Sequence, residues 1–156
     1  MVSIFVPGYN KLALDHVVLD YNGTLAKDGQ LLSGVEKLLN AVADQFKLHV
    51  VTADTFGGAR SGLHKVRCTI TVLSDRNQAE AKRQYVRSLG SAQTVAIGNG
   101  RNDRLMVKEA ALGIAVIEKE GAAVETLLAA DIVCGNIPDA LELLLNPKRL
   151  IATLRS

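Results

Sequence analysis

The stretch VVLDYNGTLA, residues 17–26, decides the fold because it joins an apolar run to a carboxylate and a tight turn. Val17 to Leu19 are typical of a strand that is buried on both faces of a sheet. The run ends on Asp20, the chain turns at Asn22-Gly23, and Thr24 follows. A charge directly after such a run needs a reason, because burying an unpaired carboxylate is costly. A buried strand that ends on an exposed carboxylate is typical of an active site.

Short strand-like runs alternate with amphipathic segments along the rest of the chain. The runs are VSIFV (2–6), HVVLDY (16–21), LHVVTA (48–53), CTITVL (68–73), TVAIG (94–98), GIAVI (113–117) and DIVC (131–134). The pattern predicts helices over 33–46, over 77–89, from about residue 102, and over 122–129, 138–145 and the last residues. This alternation predicts an α/β fold with a mostly parallel sheet that helices cover on both faces.

Two local signals refine this outline. Ser33 and Glu36 have the spacing of a capping box at the start of the helix over 33–46. Asp28-Gly29 lies between two apolar pairs, which predicts a small hairpin over 25–33. We find no linker or internal repeat, so we expect a single domain over residues 1–156.

The bulk composition excludes several classes of function. The net charge is only +2 and aromatic residues make up 4%, so a nucleic-acid-binding surface is not expected. The longest apolar run, AALGIAVI at 110–117, is far shorter than a membrane span. The chain begins without a basic segment typical of a signal peptide, and its two cysteines, Cys68 and Cys134, lie far apart. We therefore expect a cytoplasmic protein.

Polar residues follow several of the predicted strands at their carboxyl ends, where open α/β sheets bind ligands. Asp20 ends the first strand of the parallel sheet, and Thr52 ends the strand over 48–53, with Asp54 next. The strand over 94–98 leads into GNGRND, which supplies Asn99, Asn102 and Asp103, while Lys82 lies in the preceding helix. Carboxylates, a hydroxyl, an ammonium and glycine-rich turns together suit a phosphoryl group with a magnesium ion.

These four motifs resemble those of the haloacid dehalogenase-like superfamily of hydrolases. DYNGTL resembles its first motif, Asp-x-Asp-x-Thr, and Thr52 in VVTAD fits the second. Lys82 fits the third, and GNGRND resembles the fourth, Gly-Asp-x-x-x-Asp. The order and spacing agree over residues 16–117. DYNGTL and GNGRND are most similar to the soluble relatives of the P-type ATPase catalytic domain.

The resemblance implies a role for each matching residue. Asp20 would attack phosphorus and form an aspartyl phosphate, and Lys82 would offset the negative charge. Thr52 and Ala53, with backbone N–H groups of Tyr21, Asn22 and Gly23, would hold phosphoryl oxygens. Magnesium would be held by Asp20, the backbone carbonyl of Asn22, Asn99 and Asp103. Asp54, Arg60, Arg101 and Asn102 are candidates for substrate contact.

The sequence departs from the family pattern at two positions. Asn22 stands where the family has the aspartate that acts as general acid and base, and an amide cannot titrate in that role. General acid–base help is worth roughly 10²–10⁴-fold, so we expect substrates with good leaving groups, such as acyl phosphates, phosphoanhydrides or aryl phosphates. Asn99 replaces an aspartate of the fourth motif, which leaves two carboxylates, Asp20 and Asp103, at the metal site.

The resemblance also implies a three-layer sandwich without a large cap. A cap after the first motif would have only residues 25–33, and the second possible position, 53–76, already holds a helix and a strand. Capless members act on large substrates or shield the site with a second subunit, so a small-molecule or macromolecular phosphate and a homodimer or homotetramer are expected. The main alternative is a phosphoryl-binding or phospho-acceptor module with little turnover. A receiver domain has its acidic pair first and its phosphorylated aspartate later, which does not fit. A true dehalogenase would work without magnesium.

Overall fold

The computed structural model describes residues 1–54 and 57–156. Its strands are β1 (Val2–Val6), β2 (Asn10–Leu14), β3 (His16–Asp20), β4 (Ala26–Lys27), β5 (Gln30–Leu31), β6 (Lys47–Thr52), β7 (Thr69–Val72), β8 (Thr94–Gly98), β9 (Leu112–Val116) and β10 (Ile132–Cys134). Its helices are α1 (Val35–Ala43), α2 (Gly58–Gly62), α3 (Gln78–Leu89), α4 (Arg104–Glu109), α5 (Val124–Ala129), α6 (Ile137–Leu145) and α7 (Pro147–Leu154). Short 3₁₀ turns lie at 91–93 and 101–103.

Six strands form one parallel sheet in the order β10-β9-β8-β3-β6-β7. β3 lies at its centre and pairs with β8 on one side and β6 on the other. This position explains the apolar run of the opening motif, since Val17, Val18 and Leu19 have no exposed surface. Asp20 therefore comes to the middle of the carboxyl edge.

Helices cover both faces of this sheet. On one face α1, α6 and α7 pack on the alternate strand residues that include Val17, Leu19 and Val50. On the other face Val86 of α3 and Met106 of α4 pack on Val18, Val51 and Ala96. The predicted three-layer α/β sandwich is thus confirmed, and no large cap interrupts the part of the chain that the structure describes.

The structure contradicts two local predictions. The proposed capping box is absent, because the N-cap of α1 is Gly34, in the left-handed conformation, and no side chain bonds to the helix start. Ser33 therefore lies one residue too early to cap the helix. The strand over 2–6 lies outside the parallel sheet, because it pairs antiparallel with β2, which the sequence reading did not predict.

The segment after the first motif forms a small hairpin. β4 and β5 pair antiparallel around Asp28 and Gly29, whose φ angles of 51° and 79° are typical of a two-residue hairpin turn. Tyr21 anchors this hairpin, since its hydroxyl donates to the carbonyl of Gly29 at 3.1 Å and lies 3.3 Å from that of Gly58. Among the described residues, no helix combines the length and the apolar character needed to cross a membrane.

Candidate active site

Asp20 forms the floor of a cavity of about 370 Å³ at the carboxyl edge of the sheet. Its Oδ1 accepts a hydrogen bond from Lys82 Nζ at 2.7 Å, and its Oδ2 accepts one from Thr24 Oγ1 at 3.2 Å. The residue is only 6% exposed, so the expectation of an exposed carboxylate was wrong. Burial, and then the negative charge of Asp103, raise the pKa of Asp20 to about 7, although Lys82 and Thr24 act in the opposite direction.

Lys82 joins the two acidic residues of the site. It projects from the second turn of α3, and its Nζ lies 2.7 Å from Oδ1 of both Asp20 and Asp103. Burial alone would lower the pKa of Lys82, but the two carboxylates outweigh burial, so the pKa lies above the usual range of lysine. Lys82 therefore stays charged, and the trio carries one net negative charge whenever Asp20 is ionised.

The side chain of Asp103 holds the loop that follows β8. Its Oδ2 accepts hydrogen bonds from the backbone N–H groups of Asn99 at 3.0 Å and Gly100 at 2.9 Å. The loop can approach this closely because residue 98 is glycine: an added Cβ would lie 2.5 Å from Cγ of Asp103. Both oxygens of Asp103 are thus engaged, one by the backbone and one by Lys82.

The other walls of the cavity come from β6 and the loops. Thr52 ends β6, is 2% exposed, and accepts a hydrogen bond from the backbone N–H of Asp54 at 3.1 Å through Oγ1. Parallel strands bring their carboxyl ends to one edge, which explains why Thr52 lies beside Asp20. The lining residues are Asp20, Asn22, Thr52, Ala53, Asp54, Gln78, Lys82, Asn99, Gly100 and Asn102.

Oxygen atoms around Thr24 are arranged in a way that suits a divalent cation. Thr24 Oγ1 lies 3.2 Å from Asp20 Oδ2 and 3.1 Å from Asn99 Oδ1, yet a hydroxyl has one proton to donate. One of the two acceptors therefore lacks that donor, and hard cations take such oxygens as ligands. Asn99 is fixed here because its Nδ2 donates to the carbonyl of Gly121 at 2.9 Å. Asp20 and Asn99 thus present oxygen atoms of the kind that a divalent cation binds, and Asn22, whose backbone carbonyl is a predicted ligand, lines the same cavity.

The donor set is poor in carboxylates, as the two asparagines of the motifs predict. Across residues 1–54 and 57–156 no group of three or more His, Cys, Asp or Glu side chains is arranged to hold a metal ion. A metal here would rely on amide and carbonyl oxygens beside Asp20. Asp103 remains a predicted ligand, but its contacts favour a role in holding Lys82 and the turn.

Some predicted contacts lie away from the cavity wall. Arg101 is 69% exposed at its side chain and pairs with Glu125 at 2.9 Å, and Arg60 is exposed on α2. The Tyr21 side chain points to the hairpin, and the N–H of Gly23 already donates to the carbonyl of Ala26 at 2.9 Å. Residues 55 and 56, which follow the predicted substrate contact Asp54, lie outside the described residues.

Two residues of the site were missed by the sequence reading. Gln78 lines the cavity and accepts a hydrogen bond from Asn102 Nδ2 at 2.6 Å, so the start of α3 and the loop after β8 meet there. Thr24 was part of the quoted motif but received no role. The motif pattern has a threonine four residues after the aspartate, and this spacing could have identified Thr24.

Comparisons with known proteins support the fold. No family model matches the chain. An uncharacterised protein of Methanocaldococcus jannaschii is 59% identical over 61 residues, a match that spans 39% of this chain and 66% of that protein.

Solved structures extend the comparison to most of the chain. The 3-deoxy-D-manno-octulosonate 8-phosphate phosphatase of Moraxella catarrhalis, in complex with magnesium, phosphate and a sugar, is 18% identical with a TM-score of 0.70, covering 91% of this chain and 94% of that one. The cobalt-bound phosphatase of the same name from Haemophilus influenzae has a TM-score of 0.72 at 13% identity, covering 92% and 94%. A haloacid dehalogenase-like family protein of Streptococcus pneumoniae has a TM-score of 0.64 at 13% identity, covering 83% and 97%. The chain therefore has the haloacid dehalogenase-like fold.

Proposed function

We propose that this chain is a magnesium-dependent phosphohydrolase or phosphotransferase that acts through an aspartyl phosphate on Asp20. The observation that carries the proposal is the meeting of Asp20, Thr52 and Lys82 at one cavity on the carboxyl edge of the sheet. The phosphatases of similar fold, with bound magnesium or cobalt, support it. Its first and fourth motifs resemble those of the soluble relatives of the P-type ATPase catalytic domain.

The reaction has two displacement steps at phosphorus. A carboxylate oxygen of Asp20 forms a bond to phosphorus while the bond to the leaving group breaks, and the leaving group departs with the electron pair. Water or another acceptor then forms the new bond to phosphorus and releases a proton to solvent, while the bond to Asp20 breaks and its electron pair restores the carboxylate. The products are the free leaving group, phosphate on its acceptor, and the original carboxylate.

The surrounding residues stabilise the charge that accumulates in these steps. Lys82 offsets the charge of Asp20 and of the phosphoryl group, and Thr52 donates its hydroxyl proton to a phosphoryl oxygen. A magnesium ion held by Asp20, Asn99 and the carbonyl of Asn22 would neutralise phosphoryl charge and orient the group. Without a divalent cation, a phosphate dianion would meet a trio that is already net negative.

Asn22 restricts the choice of substrate. It is exposed at the cavity, where the family pattern has a titrating aspartate, and its amide cannot protonate an alkoxide. Leaving groups that need little protonation should therefore react best: acyl phosphates, phosphoanhydrides and aryl phosphates. Simple sugar phosphates should be poor substrates, although the proteins of similar fold include phosphatases of 3-deoxy-D-manno-octulosonate 8-phosphate.

The second candidate is a phosphoryl-binding or phospho-acceptor module with little turnover. The observation that favours it is the same exposed Asn22, because no titrating group there activates water for the second step. An aspartyl phosphate that forms and persists would be its signature.

The test is phosphate release from acetyl phosphate and p-nitrophenyl phosphate, with magnesium or with chelator. We expect turnover by the wild type with magnesium, and loss of turnover with chelator and in Asp20→Asn. Asp44→Asn makes the same chemical change at a side chain that is 65% exposed and remote from the site, and should behave as the wild type.

The outcomes separate the two candidates. Turnover that persists in Asp20→Asn contradicts the proposed nucleophile. No release, but an acid-stable label on Asp20 after incubation with acetyl [³²P]phosphate, identifies the phospho-acceptor. The absence of both release and label rejects the phosphohydrolase and the phospho-acceptor, and leaves a module that binds phosphoryl groups without reacting.

Oligomer formation remains a proposal. Val124 and Leu128 of α5, with Ile117 and Val133 near the sheet edge, are exposed apolar side chains that a second copy would cover. Sedimentation of the purified chain at several concentrations tests for the expected dimer or tetramer.

A further inference from the structure

A chain of polar side chains lies beneath α3, away from the cavity. His16 Nδ1 is 3.0 Å from His49 Nε2, and His49 Nδ1 is 2.9 Å from the hydroxyl of Tyr85. Thr71 Oγ1 lies 3.4 Å from the same hydroxyl and donates to it. His49 is 9% exposed, and none of these side chains lines the cavity. The proposed reaction makes no use of them.

The charges around the chain give it one consistent direction. His16 Nε2 lies 3.6 Å from Asp15 Oδ2, which places the proton of His16 on Nε2 and leaves Nδ1 as an acceptor. His49 must then donate from Nε2, so its Nδ1 accepts from Tyr85, whose oxygen accepts from Thr71. Asp15 is also held by Lys47 at 3.0 Å and by the amino group of Met1 at 3.4 Å. Every imidazole nitrogen is used with both rings neutral, in agreement with the lowered pKa of each histidine.

Three of the elements that form this chain also carry a residue of the candidate site. His16 is on β3, four residues before Asp20, and His49 is on β6, three residues before Thr52. Tyr85 is on α3, one turn after Lys82. On the strands, Val18 and Val51 lie between these two sets of polar side chains, and Val86 of α3 packs against them. The helix is therefore joined to the sheet by polar contacts on both sides of an apolar layer.

The two kinds of layer constrain α3 differently. Apolar contacts are non-directional, so the valine layer resists separation of the helix from the sheet more than sliding along it. Hydrogen bonds weaken steeply when the donor and acceptor lose alignment. The bond between Tyr85 and His49 consequently restricts the position of α3 along the strands.

We propose that Tyr85 and His49 are positioning residues that hold Lys82 between Asp20 and Asp103. The effect on turnover rests on the proposed function, whereas the effect on the Lys82 ammonium does not. Loss of the Tyr85 hydroxyl lets α3 shift, and the two bonds of 2.7 Å from Lys82 Nζ no longer form together.

The experiment compares the wild type with Tyr85→Phe, which keeps the ring and removes the hydroxyl. His49→Gln is a second variant, which keeps a donor toward His16 and loses the acceptor for Tyr85. Val42→Ala is the control, because Val42 is fully buried on the opposite face of the sheet and its truncation destabilises the fold without touching the chain. NMR of ¹⁵N-labelled protein in chelator reports the protonated nitrogen of each histidine and the Lys82 ammonium signal, assigned with Lys82→Met.

We expect both histidines of the wild type to carry their proton on Nε2. In Tyr85→Phe and His49→Gln the Lys82 ammonium signal should shift or broaden, and in Val42→Ala it should not. With magnesium and acetyl phosphate, kcat should fall on the order of 10-fold in both variants while KM changes less, because misplacement of a charge by a fraction of an ångström acts on the transition state. Val42→Ala should keep kcat even where its melting temperature is the lowest.

Three results would overturn the proposal. A proton on Nδ1 of His49 reverses the chain and removes the acceptor for Tyr85. An unchanged Lys82 signal in both variants shows that the chain does not set its position. An equal loss of kcat in Val42→Ala shows that destabilisation alone lowers turnover. A Lys82 signal that shifts in both variants, while the wild type releases no phosphate, would support the positioning and reject the proposed function.

Discussion

Asn22 is the residue at which a single change should alter substrate choice. It is exposed at the cavity and stands two residues after Asp20, where a carboxylate can reach the leaving group in the family pattern. We expect Asn22→Asp to raise kcat/KM for glycerol phosphate by up to about 100-fold, because the new carboxyl supplies general acid–base help. Acetyl phosphate, which needs no such help to leave, should gain much less.

Phosphate release from the two substrates measures this prediction. Asn102→Asp is the matched control, since it adds the same charge at the wall of the same cavity. A rise of equal size for both substrates, or the same rise in Asn102→Asp, would assign the effect to charge rather than to proton transfer.

Asn99 is the residue at which charge and stability should change together. Asn99→Asp adds a third carboxylate to the predicted metal site, so magnesium should bind about 10-fold more tightly in calorimetric titration. The same change removes the Nδ2 bond to the carbonyl of Gly121, which should cost about 1–3 kcal/mol of unfolding free energy in chelator. Unchanged magnesium affinity would count against Asn99 as a ligand.

For single residues, the sequence predicted which side chains form the site but not the contacts that hold some of them. The motif order brought Asp20, Thr52, Lys82 and Asp103 together correctly, because strand ends of a parallel sheet share an edge. The pairing of Arg101 with Glu125 was not foreseen, because it spans 24 residues and leaves no local pattern, and its contact with substrate stays a prediction. Gln78 was missed for the same reason, because it reaches the cavity only where α3 begins beside the loop after β8.

At the scale of elements, the sequence predicted best where local chemistry decides. Runs of β-branched residues marked the six strands of the sheet, and Asp28-Gly29 marked a hairpin turn. β2 was missed because its sequence, NKLAL, has little intrinsic preference for a strand, so its conformation comes from pairing with β1. The misplaced cap of α1 has a similar origin, since the conformation of Gly34 moved the helix start by one residue.

The β4–β5 hairpin offers a test of backbone conformation alone. Gly29 has a φ of 79°, and an added Cβ would meet no atom within 4 Å. Gly29→Ala should therefore lower the unfolding free energy by about 1–2 kcal/mol purely through left-handed strain. Gly135→Ala is the control, because its site is equally open and its φ lies outside the left-handed range. Urea unfolding measures both, and equal losses would contradict the backbone explanation.

At the scale of the whole molecule, two buried groups should make stability depend on pH in opposite directions. Burial and Asp103 raise the pKa of Asp20 from 3.8 to about 7. Burial, with the charges of His16 and Lys47, lowers the pKa of His49 from 6.5 to about 4. Both groups lie on neighbouring strands of one sheet, so a single unfolding transition should report their sum.

The direction in which each group changes stability with pH depends on whether the folded or the unfolded state holds more protons. For Asp20 the folded state holds the extra proton between about pH 4 and 7, so its contribution to stability is lost as the pH rises through that range. For His49 the unfolded state holds the extra proton between about pH 4 and 6.5, so stability is lost as the pH falls. In the metal-free wild type the two slopes largely cancel where the ranges overlap.

Substituting one group at a time should therefore expose its own pH dependence of the unfolding free energy, which largely cancels in the wild type. In chelator, the unfolding free energy of Asp20→Asn relative to wild type should increase by roughly 1–3 kcal/mol as the pH rises from 4 to 7. That of His49→Gln relative to wild type should increase by a similar amount as the pH falls from 6.5 to 4. Asp44→Asn and His64→Gln make the same chemical changes at exposed positions and serve as matched controls. Urea unfolding across this pH range measures all four, and variant curves parallel to the wild type would show that neither buried group titrates as its surroundings require.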